Sequence, residues 1–97
     1  MGSEGVVGAE AVKSGLKAQL RRAIVSVPSN VAEGLTRSSK KDKLHFLNIA
    51  QSSLSEADAQ AEISLRLGYL DQLQYGEIEH EVSEVQKYLS GLSRSLR

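Results

Sequence analysis

The chain has 97 residues, no cysteine, one proline, four aromatic side chains (Phe46, Tyr69, Tyr75 and Tyr88) and twelve acids balanced by twelve bases, for a net charge of zero. This length allows one domain and buries only about 60–65% of the unfolded chain's surface, so a lone copy is marginally stable. Without cysteine there is no disulfide scaffold and no Cys-ligated zinc or iron–sulfur site, which fits a reducing cytosol. No run approaches the length and apolarity of a membrane span, and the N-terminus lacks the basic and apolar regions of a signal peptide, so a cytoplasmic protein is expected.

Residues 1–10 carry Gly2, Gly5 and Gly8 without a sustained period and read as a flexible tail before a single domain over 11–97. From Val12 the pattern is helical: Val12, Leu16, Leu20, Ile24, Val27, Val31 and Leu35 recur at steps of three or four. Pro28 falls inside that run and removes a backbone donor. The apolar phase continues across it, so a kinked but continuous helix is expected over about 12–34, with Gly34 as the C′ stop. Ser39 followed by Asp42 resembles a capping box and opens a second helix over about 39–67, with Leu44, Leu47, Ala50, Leu54, Ala57, Ala61 and Leu65 on one stripe. Gly68 is its C′ residue. Asp71 with Gln74 caps a third helix over about 72–95, whose Ile78, Val82, Val85, Leu89, Leu92 and Leu96 form an a/d repeat. No strand signals occur. The fold class is all-α, an up-and-down antiparallel bundle with three helices in this chain.

Two of these helices are apolar on more than one side. Ala18, Val25 and Ala32 repeat at seven-residue spacing opposite the first helix's main stripe. Ile49 and Ile63 lie off the second helix's main stripe, with Glu56 on their line and Leu67 beside it. A monomeric three-helix bundle needs one stripe per helix, so second stripes imply second neighbours. Charge is also segregated. Residues 13–43 hold eight Lys/Arg against two acids, Glu33 and Asp42, for a net of +6. Residues 56–84 hold eight acids against one base, Arg66, for a net of −7.

Four runs carry a family resemblance. Gln19-Leu20-Arg21-Arg22-Ala23 continues through Ser26-Val27-Pro28-Ser29-Asn30-Val31-Ala32-Glu33-Gly34; Arg37, Ser39, Lys41, Asp42, Phe46, Leu47, Ile49 and Ala50 follow; then comes Ser52-Ser53-Leu54-Ser55-Glu56-Ala57-Asp58-Ala59-Gln60; Leu67-Gly68-Tyr69-Leu70 closes the match. Over about residues 15–97 the chain resembles the four-helix-bundle family also called the 23S rRNA intervening-sequence, or S23, proteins. The resemblance departs at Ser52, where the family has glycine, and at Ala57, Asp58 and Ala59, smaller than their counterparts, so looser packing is expected there. It also implies that the family's first helix, ahead of the point matching Gly15-Leu16, has no counterpart here. That leaves a groove between the first and third helices. Ring-shaped pentamers are known for this fold, and the resemblance implies a homo-oligomer. Members are encoded inside 23S rRNA genes, which makes rRNA or another nucleic acid a candidate partner.

Candidate sites follow. Arg37, Lys40, Lys41 and Lys43 form a basic cluster able to neutralise phosphates. Against that, the pI of about 6.7 is low for a nucleic-acid domain and no aromatics interleave the run, so a solvated face competes. Arg21, Arg22, Asn30, Glu33 and Glu56 are candidates for a structural polar network between helices, with Glu56 the best candidate for a paired, partly buried carboxylate. Glu77-x-x-His80 and Asp42-x-x-His45 echo di-iron spacing, but the wheel turns them away from the apolar stripes. No catalytic residue, metal ligand or cofactor site is identified, and no P-loop, dinucleotide turn or nucleophile elbow occurs. The sequence therefore reads as a non-enzymatic, self-associating scaffold. Its assembly residues are Ala18, Val25, Ala32, Ile49, Glu56, Ile63 and Leu67. The alternative is an RNA- or DNA-binding accessory factor using the basic cluster.

Overall fold

A computed structural model of the chain describes the backbone of residues 2–97 and the side chains of residues 8–97. The helices are α1 (Gly2–Thr36), α2 (Lys40–Arg66) and α3 (Gln72–Ser95), joined by short turns in an up-down-up order. Every predicted helix forms, but α1 begins at Gly2 and takes in residues read from sequence as a tail. It runs unbroken through Pro28, whose ring is exposed and whose nitrogen donates no helix hydrogen bond.

The turns are chemically specified. Ser39 caps α2, its hydroxyl accepting from the Asp42 backbone N–H at 3.1 Å. Gly68 stands at φ 79°, in the left-handed region that favours glycine. The Tyr69 N–H donates to the Ser64 carbonyl at 2.8 Å and the Gly68 N–H to the Leu65 carbonyl at 3.0 Å, the double bond of a Schellman turn. At α3 both arms of the capping box form. The Gln74 N–H donates to the Asp71 carboxylate at 2.7 Å, and the Asp71 N–H to the Gln74 side chain at 3.0 Å.

Packing is lopsided. α2 packs against both neighbours, whereas α1 and α3 do not pack on each other. The molecule is elongated, measuring 58 × 23 × 13 Å. Between α1 and α2 the seam is built of small residues. Ala23 on α1 and Ala50, Ser53, Ala57, Ala61 and Ser64 on α2 are all buried, and the Ser26 and Ser53 hydroxyls meet at 2.9 Å. Asn30 donates to the Ser26 carbonyl and hydroxyl at 2.8 and 2.9 Å. Ala57, expected to loosen the packing, is completely buried in this seam. A core cluster joins all three helices: Leu47 and Leu89 are fully buried, together with Val27 of α1 and Ala50 and Leu54 of α2, and Val82, Val85, Leu92 and Leu96 of α3 pack around them.

Gly34 is not the helix stop expected from sequence. α1 continues to Thr36, and no glycine except Gly68 has positive φ among the described residues. Gly34 is buried against α2: a Cβ there would stand 3.1 Å from the Phe46 Cβ and 3.2 Å from the Lys43 carbonyl oxygen. Both are fixed to the backbone of α2, so a larger side chain forces the helices apart. Gly34→Val is expected to destabilise the fold by about 1–3 kcal/mol through overpacking. In a chain of this size that lowers the thermal midpoint by about 4–8 °C per kcal/mol. Gly15→Ala is the control, because its Cβ meets nothing within 4 Å, and it should stabilise by about 0.5–1 kcal/mol. Circular-dichroism melts of the two variants check the pair.

Candidate functional site

Because α1 and α3 are held apart by α2, a groove of about 820 Å³ opens between them. Leu54 and Ala57 of α2 form its floor. Ile24, Pro28, Val31, Ala32 and Leu35 form the α1 wall, and Ile78, Val82, Val85 and Tyr88 the α3 wall. Its only charged lining residues are Glu77 and Glu81, on α3. Ile24 is 50% exposed, Leu35 49% and Tyr88 57%, although the first two lie on the stripe read from sequence as interior. The groove matches the position where the family resemblance implied a missing neighbour.

The residues expected to drive assembly lie mostly elsewhere. Of the seven, only Ala32 lines the groove. Ile49, Glu56, Ile63 and Leu67 line up on the side of α2 turned away from its buried stripe. Ile63 and Leu67 are about half exposed there, Glu56 is exposed and Ile49 is half-buried. Val25 is 58% exposed on the outer side of α1, and Ala18 is half-buried. The second stripes are therefore uncovered apolar surface, separate from the groove. The signal for it was present in the sequence: an a/d stripe on the third helix with no partner stripe left to meet it.

The five-residue polar network does not form. Asn30 bonds instead to Ser26, and through it to Ser53. Glu33 pairs with Arg37 at 2.8 Å, one turn along the same helix end. Arg21, Arg22 and Glu56 are exposed and enter none of the ion pairs among the described residues, so Glu56 is not the partly buried, paired carboxylate expected. The physical reason is that the α1–α2 seam is too close and too small-sided to admit charged side chains.

The basic cluster is partly engaged. Arg37, besides its pair with Glu33, lies over the Phe46 ring at 4.7 Å, and the Lys40 ammonium donates to the Arg97 carbonyl at 2.7 Å. Lys41 is exposed and Lys43 half-buried. Glu77, His80, Asp42 and His45 are all exposed, and His45 stands edge-on to Phe46 at 5.3 Å.

One group of titratable residues was not foreseen. Asp58 on α2 faces Glu79 on α3. The Asp58 carboxyl is pushed up to about 6, first by its hydrogen bond to Glu79, then by burial and by repulsion from Glu79 and Glu62. Glu79 is held below the ordinary range because protonated Asp58, and then the Tyr75 hydroxyl, donate to it. That same bond pushes Tyr75 up to about 12. Pairing two acids across a seam has no signature in spacing, because which acids meet depends on the register of α2 against α3. A raised acid pKa stabilises the fold while the group is protonated, so the Asp58 contribution is present below its ordinary value of 3.8 and is lost as pH rises through about 6. The lowered Glu79 acts oppositely, its contribution fading as pH falls below its ordinary 4.5. Thermal stability should therefore be highest near pH 4, fall as pH rises toward about 6, and level off above that. Asp58→Asn, which still donates to Glu79, should remove that decline and raise the midpoint at pH 7.5. Parallel melting curves for the two proteins between pH 5 and 7.5 would show that no proton is shared.

No curated protein matches this chain. Among solved structures, the fold is similar to a protein of unknown function from the S23 ribosomal protein family of Bacteroides thetaiotaomicron VPI-5482. The TM-score is 0.77 at 27% identity, over 80% of this chain and 72% of that one. Residues 8–91 match the family model described as 23S rRNA-intervening sequence protein, and the chain belongs to that family.

Proposed function

We infer that this protein is a non-enzymatic, self-associating helical scaffold, working in the cytoplasm, with the α1–α3 groove as its main association surface. The observation that carries this reading is the groove itself: a continuous aliphatic channel along two helices, walled by large side chains that are half exposed. Exposed apolar faces of this kind mark interaction surfaces. The chain also has reason to associate. Its fully buried apolar set is Ala23, Val27, Leu47, Ala50, Leu54, Ala57, Ala61 and Leu89, four of them alanines, which is a slight core for 97 residues. Completing the burial of Ile24, Leu35 and Tyr88 is worth about 1 kcal/mol apiece, since a fully buried large apolar side chain gains about 1.5–3 kcal/mol. In a symmetric contact each such gain is counted twice.

The groove's chemistry supports binding over catalysis. Its walls are aliphatic apart from Tyr88, and its two charged residues are both carboxylates on one helix. No helix among the described residues is long and apolar enough to cross a membrane. The nucleic-acid reading is the weaker one, because Arg37 is already neutralised by Glu33 and Lys40 is bonded within the chain.

Size-exclusion chromatography with light scattering tests the reading. The chain should elute as a species heavier than one copy at tens of micromolar. Val85→Glu, which places a charge on the α3 wall, should shift it toward single chains while the helical circular-dichroism signal stays. A monodisperse single chain across that concentration range would overturn the proposal.

A further inference from the structure

We propose that the groove is a docking site for a helix of a different protein: an amphipathic helix of about three turns, with an unbroken aliphatic stripe toward α2 and lysine or arginine on the flank that faces α3. This rests on reading the groove as an association surface, and adds an occupant that competes there with further copies of this chain.

The walls suit a helix. The side chains that line the groove can hydrogen-bond only through Glu77, Glu81 and Tyr88. An extended segment laid along the aliphatic part would lose water from its N–H and C=O groups with nothing to replace it, whereas a helix satisfies its own. Ile24, Pro28, Val31 and Leu35 recur on α1 at steps of 4, 3 and 4, and Ile78, Val82, Val85 and Leu89 recur on α3 at the same steps. Ridges at that spacing take the side chains of another helix between them. The stretch from Ile24 to Leu35 rises about 16 Å, which three turns of helix fill.

No other exposed stripe of this chain meets that requirement. On the outer side of α1, Val25 stands between Ala18 and Ala32. On α2, Glu56 interrupts the line of Ile49 and Ile63, and in the groove it would be desolvated beside Glu77 and Glu81. An unbroken aliphatic stripe therefore comes from another protein.

Charge fixes the rest of its chemistry. Glu77 and Glu81 stand one turn apart on α3, line the groove, are exposed and enter none of the ion pairs among the described residues. The α1 wall carries no charge inside the groove. Lys17 and Arg21 continue its line beyond Ile24, four and three residues apart. Because α1 and α3 run parallel, these bases lie toward the same end as the two carboxylates. A docked helix thus meets carboxylates on one flank and bases on the other. Lysine or arginine suits only the α3 flank, the arrangement by which flanking charges choose partners in coiled coils.

Two fluorescein-labelled three-heptad peptides test this. Both carry leucine at the a and d positions and glutamine on one flank; the other flank is lysine in one and glutamate in the other. By fluorescence anisotropy against the whole chain at low salt, the lysine peptide should bind at least about tenfold more tightly than the glutamate peptide. Glu77→Lys with Glu81→Lys should reverse that preference, which an unfolded variant would not do. In native mass spectrometry one chain should hold one lysine peptide, with fewer copies bound to each other as peptide is added. Binding of neither peptide, equal binding of both, or a preference that survives the reversal overturns the proposal. A wild-type chain that stays single yet binds the lysine peptide with the stated preference overturns self-association alone. One that self-associates and binds neither peptide overturns docking alone. Peptide bound with this preference while every copy stays associated supports docking and moves self-association off the groove.

Discussion

Everything distinctive about this molecule follows from one constraint: among the described residues, α2 packs against both other helices while α1 and α3 do not pack on each other. The two flanks of α2 are built differently. Toward α1 it presents Ser53, Ala57, Ala61 and Ser64, small enough to let the backbones approach, and α1 answers with Ala23, Ser26 and Gly34. Toward α3 it presents Leu47 and Leu54, which take up Leu89. A closed triangular bundle would bury a third seam; here that seam stays open as the groove. The groove is the geometric remainder of how α2 divides its surface.

Much of the architecture could be read from residue order. Periodicity located all three helices, and the Asp71–Gln74 box and the Gly68 turn were visible because capping chemistry is local and uses few residue types. What escaped was what depends on which faces meet. Gly34 was read as a stop because glycine near a pattern's end usually is one; its role as a contact point is set by Phe46 and Lys43 on another helix. The Asp58–Glu79 pair is invisible until register is known. The apolar stripe of α1 was read as one interior face. In fact Val27 points into the core while Ile24 and Leu35, a little further round the same helix, wall the groove. A helical wheel gives the width of an apolar stripe, not how much of that width a neighbour covers.

The structural relative from the same family carries the same ambiguity of purpose, since its own function is unknown. Membership fixes the fold and leaves the activity open. The physical content of the chain narrows it: an aliphatic channel with carboxylates on one lip favours holding another helical surface over transforming a small molecule.

The segregation of charge along the sequence also shapes the surface. A chain of zero net charge carries no overall self-repulsion. Its bases and acids nevertheless lie on different helices: Lys17 and Arg21 on α1 and Glu77 and Glu81 on α3 are exposed and enter none of the ion pairs among the described residues. Such charges add little to stability within a single chain, where they are solvated and unpaired. The fold therefore rests on the two seams of α2, with its small residues toward α1 and its leucines toward α3, rather than on attraction between a basic and an acidic helix.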